Sequence, residues 1–322
     1  MMMRNLSIMV GTLSVEYKEG VEMHFVIIGG GAVGLVMANC LAQQGHLVEL
    51  LVHSEQQKKK IQTSGVNFIN HLGQKSVVPF KVSTSAEDLE YKAIWIIAVK
   101  YHHLNGLQSV FEKLPEDTEL LFIQNGIQHI KFATALKQRT IFLGSVEFGA
   151  EKKDLNTVIH RGIGPLKIAR FKGHPSAIEK LTNIATEYFP VAIMDDYSKM
   201  LVRKALLNCF VNTLTTILRV KNGELIRHPY CVKILRQLYQ EVMTAFPEQK
   251  SQLTFEDVEN VCKSTAQNTS SMLADYMNGR VMEIDTIIGG IIELAQQRGY
   301  TVPMLSTCYS LLQAMQEGGE SN

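Results

Sequence analysis

Short apolar runs separated by amphipathic stretches fill the chain from Met23 to about residue 195. HFVIIGG (24–30) is apolar without alternation and ends in glycines, the pattern of a strand buried on both faces. Ala32 to Gln44 then reads as a helix closed by Gly45. LVELLV (47–52) reads as a second strand, and a polar, Lys-rich helix is expected around 55–63. Residues 66–82 predict a hairpin with Gly73 near its turn. AIWIIAV (93–99), LLFIQNG (120–126) and TIFLGSVEFG (140–149) continue the series, with later β-type segments near 157–160 and 165–170. Strands alternating with helices imply a mostly parallel, doubly wound sheet.

The pattern changes near Asp195. SKMLVRKALLNCFVNTLTTILRV reads as one long helix, followed by helices at about 229–245, 254–273, 283–297 and 303–315. Pro229, Pro247 and Pro303 mark starts or breaks, and Gly299 caps the fourth of these helices. The expected organisation is a sheet domain over 23–195 and an all-helical domain over 196–322, with a site in the crevice between them. Residues 1–22 read as an extension, disordered or a mis-assigned start, because their apolar stretch is broken and no small-residue cleavage site follows.

Composition narrows the class. With 322 residues, 46% hydrophobic and 20% charged, the chain has the make-up of a globular protein able to bury a large core. Lys+Arg 32 against Asp+Glu 31 leaves a formal charge of +1, which argues against a nucleic-acid binder. No apolar run reaches the ~18 residues that span a bilayer, so no membrane association is expected. Cys40, Cys209, Cys231, Cys262 and Cys308 never form a C-x-x-C pair. Their scatter fits buried thiols in a reducing cytoplasm and no metal site.

Gly29-Gly30-Gly31-Ala32-Val33-Gly34 fits G-x-G-x-x-G between a strand and a helix. The first glycine permits the tight turn, the second lets a pyrophosphate approach the backbone, and the third lets helix and strand pack closely. This is a Rossmann-type dinucleotide fingerprint, with the phosphates on the N–H groups of the helix N-terminus. An NAD site usually has an acid at the end of the second strand. Here that strand ends in Val52-His53-Ser54, with Lys58, Lys59 and Lys60 close behind, which favours a 2′-phosphate.

The expected long helix carries Lys204, Asn208 and Asn212 at i, i+4 and i+8, a polar stripe on one face among Ala205, Leu206, Leu207, Cys209, Phe210 and Val211. Unpartnered burial of such groups costs on the order of 2 to 7 kcal/mol each, so the stripe is expected to face a polar cavity. Desolvation there would lower the pKa of the lysine and suit it to proton transfer. A second cluster is Ser270-Ser271, a turn at Asn278-Gly279-Arg280, then Glu283 and Asp285, which would bring Ser271 and Glu283 near each other.

Together these segments resemble the ketopantoate reductase (2-dehydropantoate 2-reductase) family over nearly the whole chain from Met23. The resemblance also rests on Val99-Lys100, Gln124-Asn125-Gly126, Val158-Ile159-His160 and Asn222-Gly223-Glu224-Leu225. It implies reduction of a small 2-keto acid, 2-dehydropantoate, by NADPH. It further implies Lys204 as proton donor, Glu283 as supporting acid contacting cofactor, and Asn208, Asn212 and Ser271 as substrate ligands. Asn125 would bind substrate as well and lie at the nicotinamide end of the bound dinucleotide, and Lys100 and His53 by the adenosine phosphate. His53 stands where the family commonly has arginine, so the preference for NADP is weakened or passes to Lys100 and Lys58. The family's Asn-Pro-Leu-Thr-Ala reads Asn212-Thr213-Leu214-Thr215-Thr216 here. A reductase of a different 2-keto acid and a non-catalytic nucleotide sensor are the alternatives, and the helices allow a monomer or a homodimer.

Overall fold

The computed structural model describes residues 22–319; the expected extension at 1–22 lies outside them but for Glu22. The strands are β1 His24–Ile28, β2 Leu47–Leu51, β3 Val66–Ile69, β4 Lys75–Val78, β5 Lys81–Ser83, β6 Ile94–Ile97, β7 Glu119–Phe122, β8 Thr140–Val146, β9 Gly149–Lys152, β10 Thr157–Gly162, β11 Leu166–Lys172 and β12 Val191–Met194. Between them run α1 Ala32–Gln43, α2 Glu55–Ser64, α3 Gln108–Lys113 and α4 His129–Thr134. After β12 come α5 Tyr197–Leu218, α6 Glu224–Arg227, α7 Pro229–Ala245, α8 Phe255–Ser264, α9 Ser271–Met277, α10 Gly290–Gln297 and α11 Pro303–Gly319.

The main sheet has eight strands in the order β12-β11-β8-β7-β6-β1-β2-β5. All neighbours in it are parallel except β11 with β8. Its central strands are buried on both faces because both faces are covered, as the unbroken apolar runs require. On one face Phe25, Ile27, Leu50 and Ile96 pack with α1; on the other Val26, Ile28, Trp95 and Phe122 pack with α3, α4 and the start of α5 through Met200 and Leu201. The third glycine of the turn makes the first packing possible. A Cβ on Gly34 would lie 2.1 Å from the Gly29 carbonyl oxygen.

Two expectations differ from what is observed. First, β4-β3-β10-β9 form a separate four-stranded sheet laid on α1. The hairpin over 66–82 is therefore only β3 and β4, and β5 leaves it to pair with β2. The alternating half-burial of β3 is that of a strand covered on one side only. Second, the helix expected over 254–273 is two helices. The intervening loop accepts the backbone N–H groups of Asn222 and Gly223 at the carbonyls of Asn268 and Ala266, and Ser270 caps the new helix through Leu273 N–H.

Among the described residues, every strand precedes Tyr197 and the elements beyond it are helical. α5 is buried over much of its circumference and runs as the axis of this half, touching α7, α8, α9 and α11 while its first turns rest on β8 and β11. Among the described residues, no helix is long and apolar enough to cross a membrane. Replacing Gly34 by Ala forces α1 away from β1 and should cost roughly 2 kcal/mol or more, read as a lowered Tm. An unchanged Tm would show that the contact is not tight.

Candidate active site

The glycine turn lies at the C-terminal end of β1, beside the tips of β2 and β6. Gly31 is the N-cap of α1, no side chain caps the helix, and its first turn, with Ala32 and Val33, holds no acid. A Cβ on Gly31 would meet nothing within 4 Å. Uncapped N–H groups, open space and a positive dipole end fit the phosphates of a dinucleotide. Gly30 is buried, and its carbonyl accepts from Gln57 Nε2 and Lys152 Nζ, each at 2.8 Å. His53 is exposed at the tip of β2. Lys58 turns back to Glu55 and Thr84.

From the helical half, α5 brings Lys204 to the tip of β8, where its Nζ donates to the Val146 carbonyl at 2.6 Å. Burial pushes the Lys204 pKa down to about 8, with Glu147 and Glu283 opposing and Lys167 adding to the fall. Glu147 is itself paired with Lys167 at 2.7 Å. Asn125, just past β7, donates from Nδ2 to Glu283 Oε2 at 3.0 Å. That contact depends on Gly126: at φ 75° it lets the chain turn so close to the π-helical segment Asp285–Gly289 that a Cβ would lie 2.1 Å from Thr286 O.

Further along α5, Asn208 is half-buried and Asn212 is buried, donating weakly to Ser271 Oγ at 3.4 Å. Ser271 is placed by its neighbour: Thr215 Oγ1 donates to the capping Ser270 Oγ at 2.7 Å and fastens α9 to α5. Lys204, Asn125 and Glu283 thus come together, as do Asn212 and Ser271. No hydrogen bond joins Ser271 to Glu283, whose partner is Asn125. Lys100 crosses to the helical half, paired with Asp275 at 2.7 Å and donating to the Val281 carbonyl at 3.2 Å. Asp285 turns outward to Tyr309 and Gln313.

Two family models match this chain: "Ketopantoate reductase PanE/ApbA" over residues 25–173 and "Ketopantoate reductase PanE/ApbA C terminal" over 196–316. The chain belongs to the ketopantoate reductase family. Among its relatives, the 2-dehydropantoate 2-reductase of Listeria innocua is 34% identical over 92% of this chain and 97% of its own. That of Bacillus subtilis is 31% identical over 91% and 98%. The crystal structure of the probable Bacillus subtilis enzyme matches with TM-score 0.78 at 30% identity, over 91% of this chain and all of that one. A D-mandelate dehydrogenase with NADH and anilino(oxo)acetate shares the fold, at TM-score 0.81 and 23% identity over 92% of this chain and all of its own.

Some residues at the site escape the sequence patterns. Lys152 sits in a charged stretch, EKKD, that reads as solvated. His129 is fully buried beneath the site, its ring stacked on Phe122 at 6.5 Å. Neither ring nitrogen has a partner among the described residues. Burial pushes its pKa down to about 3, aided by the charge on Lys204, so it stays neutral. Only the tertiary contact distinguishes either residue from its charged or polar neighbours. Replacing Ser270 by Ala removes the cap of α9 and its tie to α5, and should lower the unfolding free energy by about 1 kcal/mol in urea titration. An unchanged midpoint would remove the tie from the account.

Proposed function

We infer that the protein reduces the ketone of 2-dehydropantoate to the alcohol of pantoate, with NADPH as hydride donor and Lys204 as proton donor. The observation that carries this reading is the Lys204 ammonium, held on Val146 O at a strand tip beside the Asn125–Glu283 pair, with its pKa brought down to about 8. The names of the relatives agree with it. Residues 23–195 are the cofactor-binding part and 196–322 the substrate part.

When bound, the reduced cofactor supplies a hydride to the keto carbon. As that carbon–oxygen double bond becomes single, negative charge grows on oxygen, and a cation with a transferable proton lowers the barrier most where charge develops. Lys204 Nζ gives its proton to that oxygen and is left as the amine, which takes a proton back from water. Glu283 supports the ammonium before transfer and fixes the Asn125 amide toward the nicotinamide end. Asn208, Asn212 and Ser271 hold the substrate's hydroxyl and carboxylate by hydrogen bonds. Gly29, Gly30, Gly31, Ala32, Val33 and Gly34 take the dinucleotide phosphates, with His53 at the adenosine end. Lys100 joins them only by leaving Asp275 and the Val281 carbonyl.

The test is NADPH oxidation by the purified protein with a panel of 2-keto acids. Turnover of 2-dehydropantoate supports the reading. Turnover of a different acid alone makes this a related reductase, and cofactor binding without any turnover makes it a sensor. Lys204→Ala should lower kcat about a hundredfold or more; near-normal kcat would remove Lys204 as proton donor. Because the donor is the protonated form, kcat for reduction should be level at low pH and fall as pH rises through about 8. A profile flat to pH well above that value would contradict the assignment.

A further inference from the structure

Lys152 stands on β9, in the small sheet, 122 residues along the chain from the glycine whose carbonyl it reaches at 2.8 Å. It is half-buried, and burial pulls its pKa below the ordinary lysine value while Asp154 pulls it up. An ammonium has three donors, and the Gly30 carbonyl takes one.

No carboxylate among the described residues forms an ion pair with it. Glu151 is paired with Lys153 and Arg161, and Asp154 accepts the N–H groups of Asn156 and Thr157. A cation drawn out of water without a counter-ion is costly, so an anion is the missing neighbour.

The position names that anion. Gln57 donates to the same Gly30 oxygen, also at 2.8 Å, so the carboxamide and the ammonium are immediate neighbours. Gln57 lies in the first turn of α2, its N–H bonded to the capping Ser54 at the tip of β2. Lys152 therefore sits on the β2 side of the glycine turn, where this fold places the 2′ position of the adenosine ribose. Of the nearby cations, Lys58 is paired with Glu55 and Lys100 with Asp275, and the charge of Lys60 acts on Asp154. We propose that Lys152 binds the adenosine 2′-phosphate of the cofactor and so sets the preference for NADP over NAD. The assignment rests on the dinucleotide reading above.

Direct binding tests it, by fluorescence titration of NADPH and of NADH into the whole enzyme, Lys152→Met and Lys152→Arg. Lys152→Met should weaken NADPH about tenfold or more and leave NADH unchanged, while Lys152→Arg keeps most of the NADPH affinity. Equal losses for both cofactors, or no loss for either, would overturn the proposal. Wild-type protein that binds neither cofactor overturns the dinucleotide reading itself. Should Lys152→Met fail to fold, acetylation of the wild-type protein followed by mass spectrometry answers the same question. Protection of Lys152 by 2′,5′-ADP and not by 5′-AMP supports the assignment; equal protection or none removes it.

Discussion

An ammonium group leaves water only if an oxygen replaces it, and in this fold Lys204 finds that oxygen at the end of β8. Strand ends are where backbone carbonyls run out of ladder partners, so Val146 can accept a bond that the sheet interior could not spare. The consequence is felt along the whole of α5. The helix must cross the tip of the sheet with one polar face turned toward it, while its remaining circumference is free to be the core of the helical half. That is why Lys204, Asn208 and Asn212 recur at intervals of one turn in a segment otherwise filled by Ala205, Leu206, Cys209, Phe210 and Val211.

The same logic repeats at neighbouring strands. Lys100 follows β6 and reaches Asp275; Asn125 follows β7 and reaches Glu283; Val146 ends β8 and receives Lys204. Each link runs between a strand tip and a helix end or helix face, along one edge of the sheet. Next in the sheet, the tip of β1 carries the uncapped helix N-terminus at Gly31. Polar groups are thus concentrated where the parallel sheet leaves its backbone unpaired, which is also where a ligand can meet several strands at once.

Much of this was legible in the residues. The unbroken run HFVIIGG required a strand covered on both faces, and the period of the Lys204 stripe required a helix with one polar face. What could not be read depends on contacts across long separations. Nothing local marks β3, β4, β9 and β10 as a separate sheet, because an alternating strand announces one covered face and not what covers it. The break between α8 and α9 follows from Asn222 and Gly223 bonding to the loop, partners more than forty residues away. Lys152 and His129 look ordinary in sequence and acquire meaning only beside Gly30 and Lys204.

The charges around Lys204 explain why a lysine, rather than an arginine, suits this place. An arginine would remain charged under any of these influences, whereas the lysine responds to each. Burial disfavours its charge, and the carboxylates of Glu147 and Glu283 favour it. Glu147 shares its charge with Lys167, and Glu283 is partly spent on Asn125, so neither restores the ordinary lysine value. His129, held neutral by its own burial, adds no charge of its own. The outcome is an ammonium with its pKa lowered to about 8, which is what the proposed role of proton donor requires.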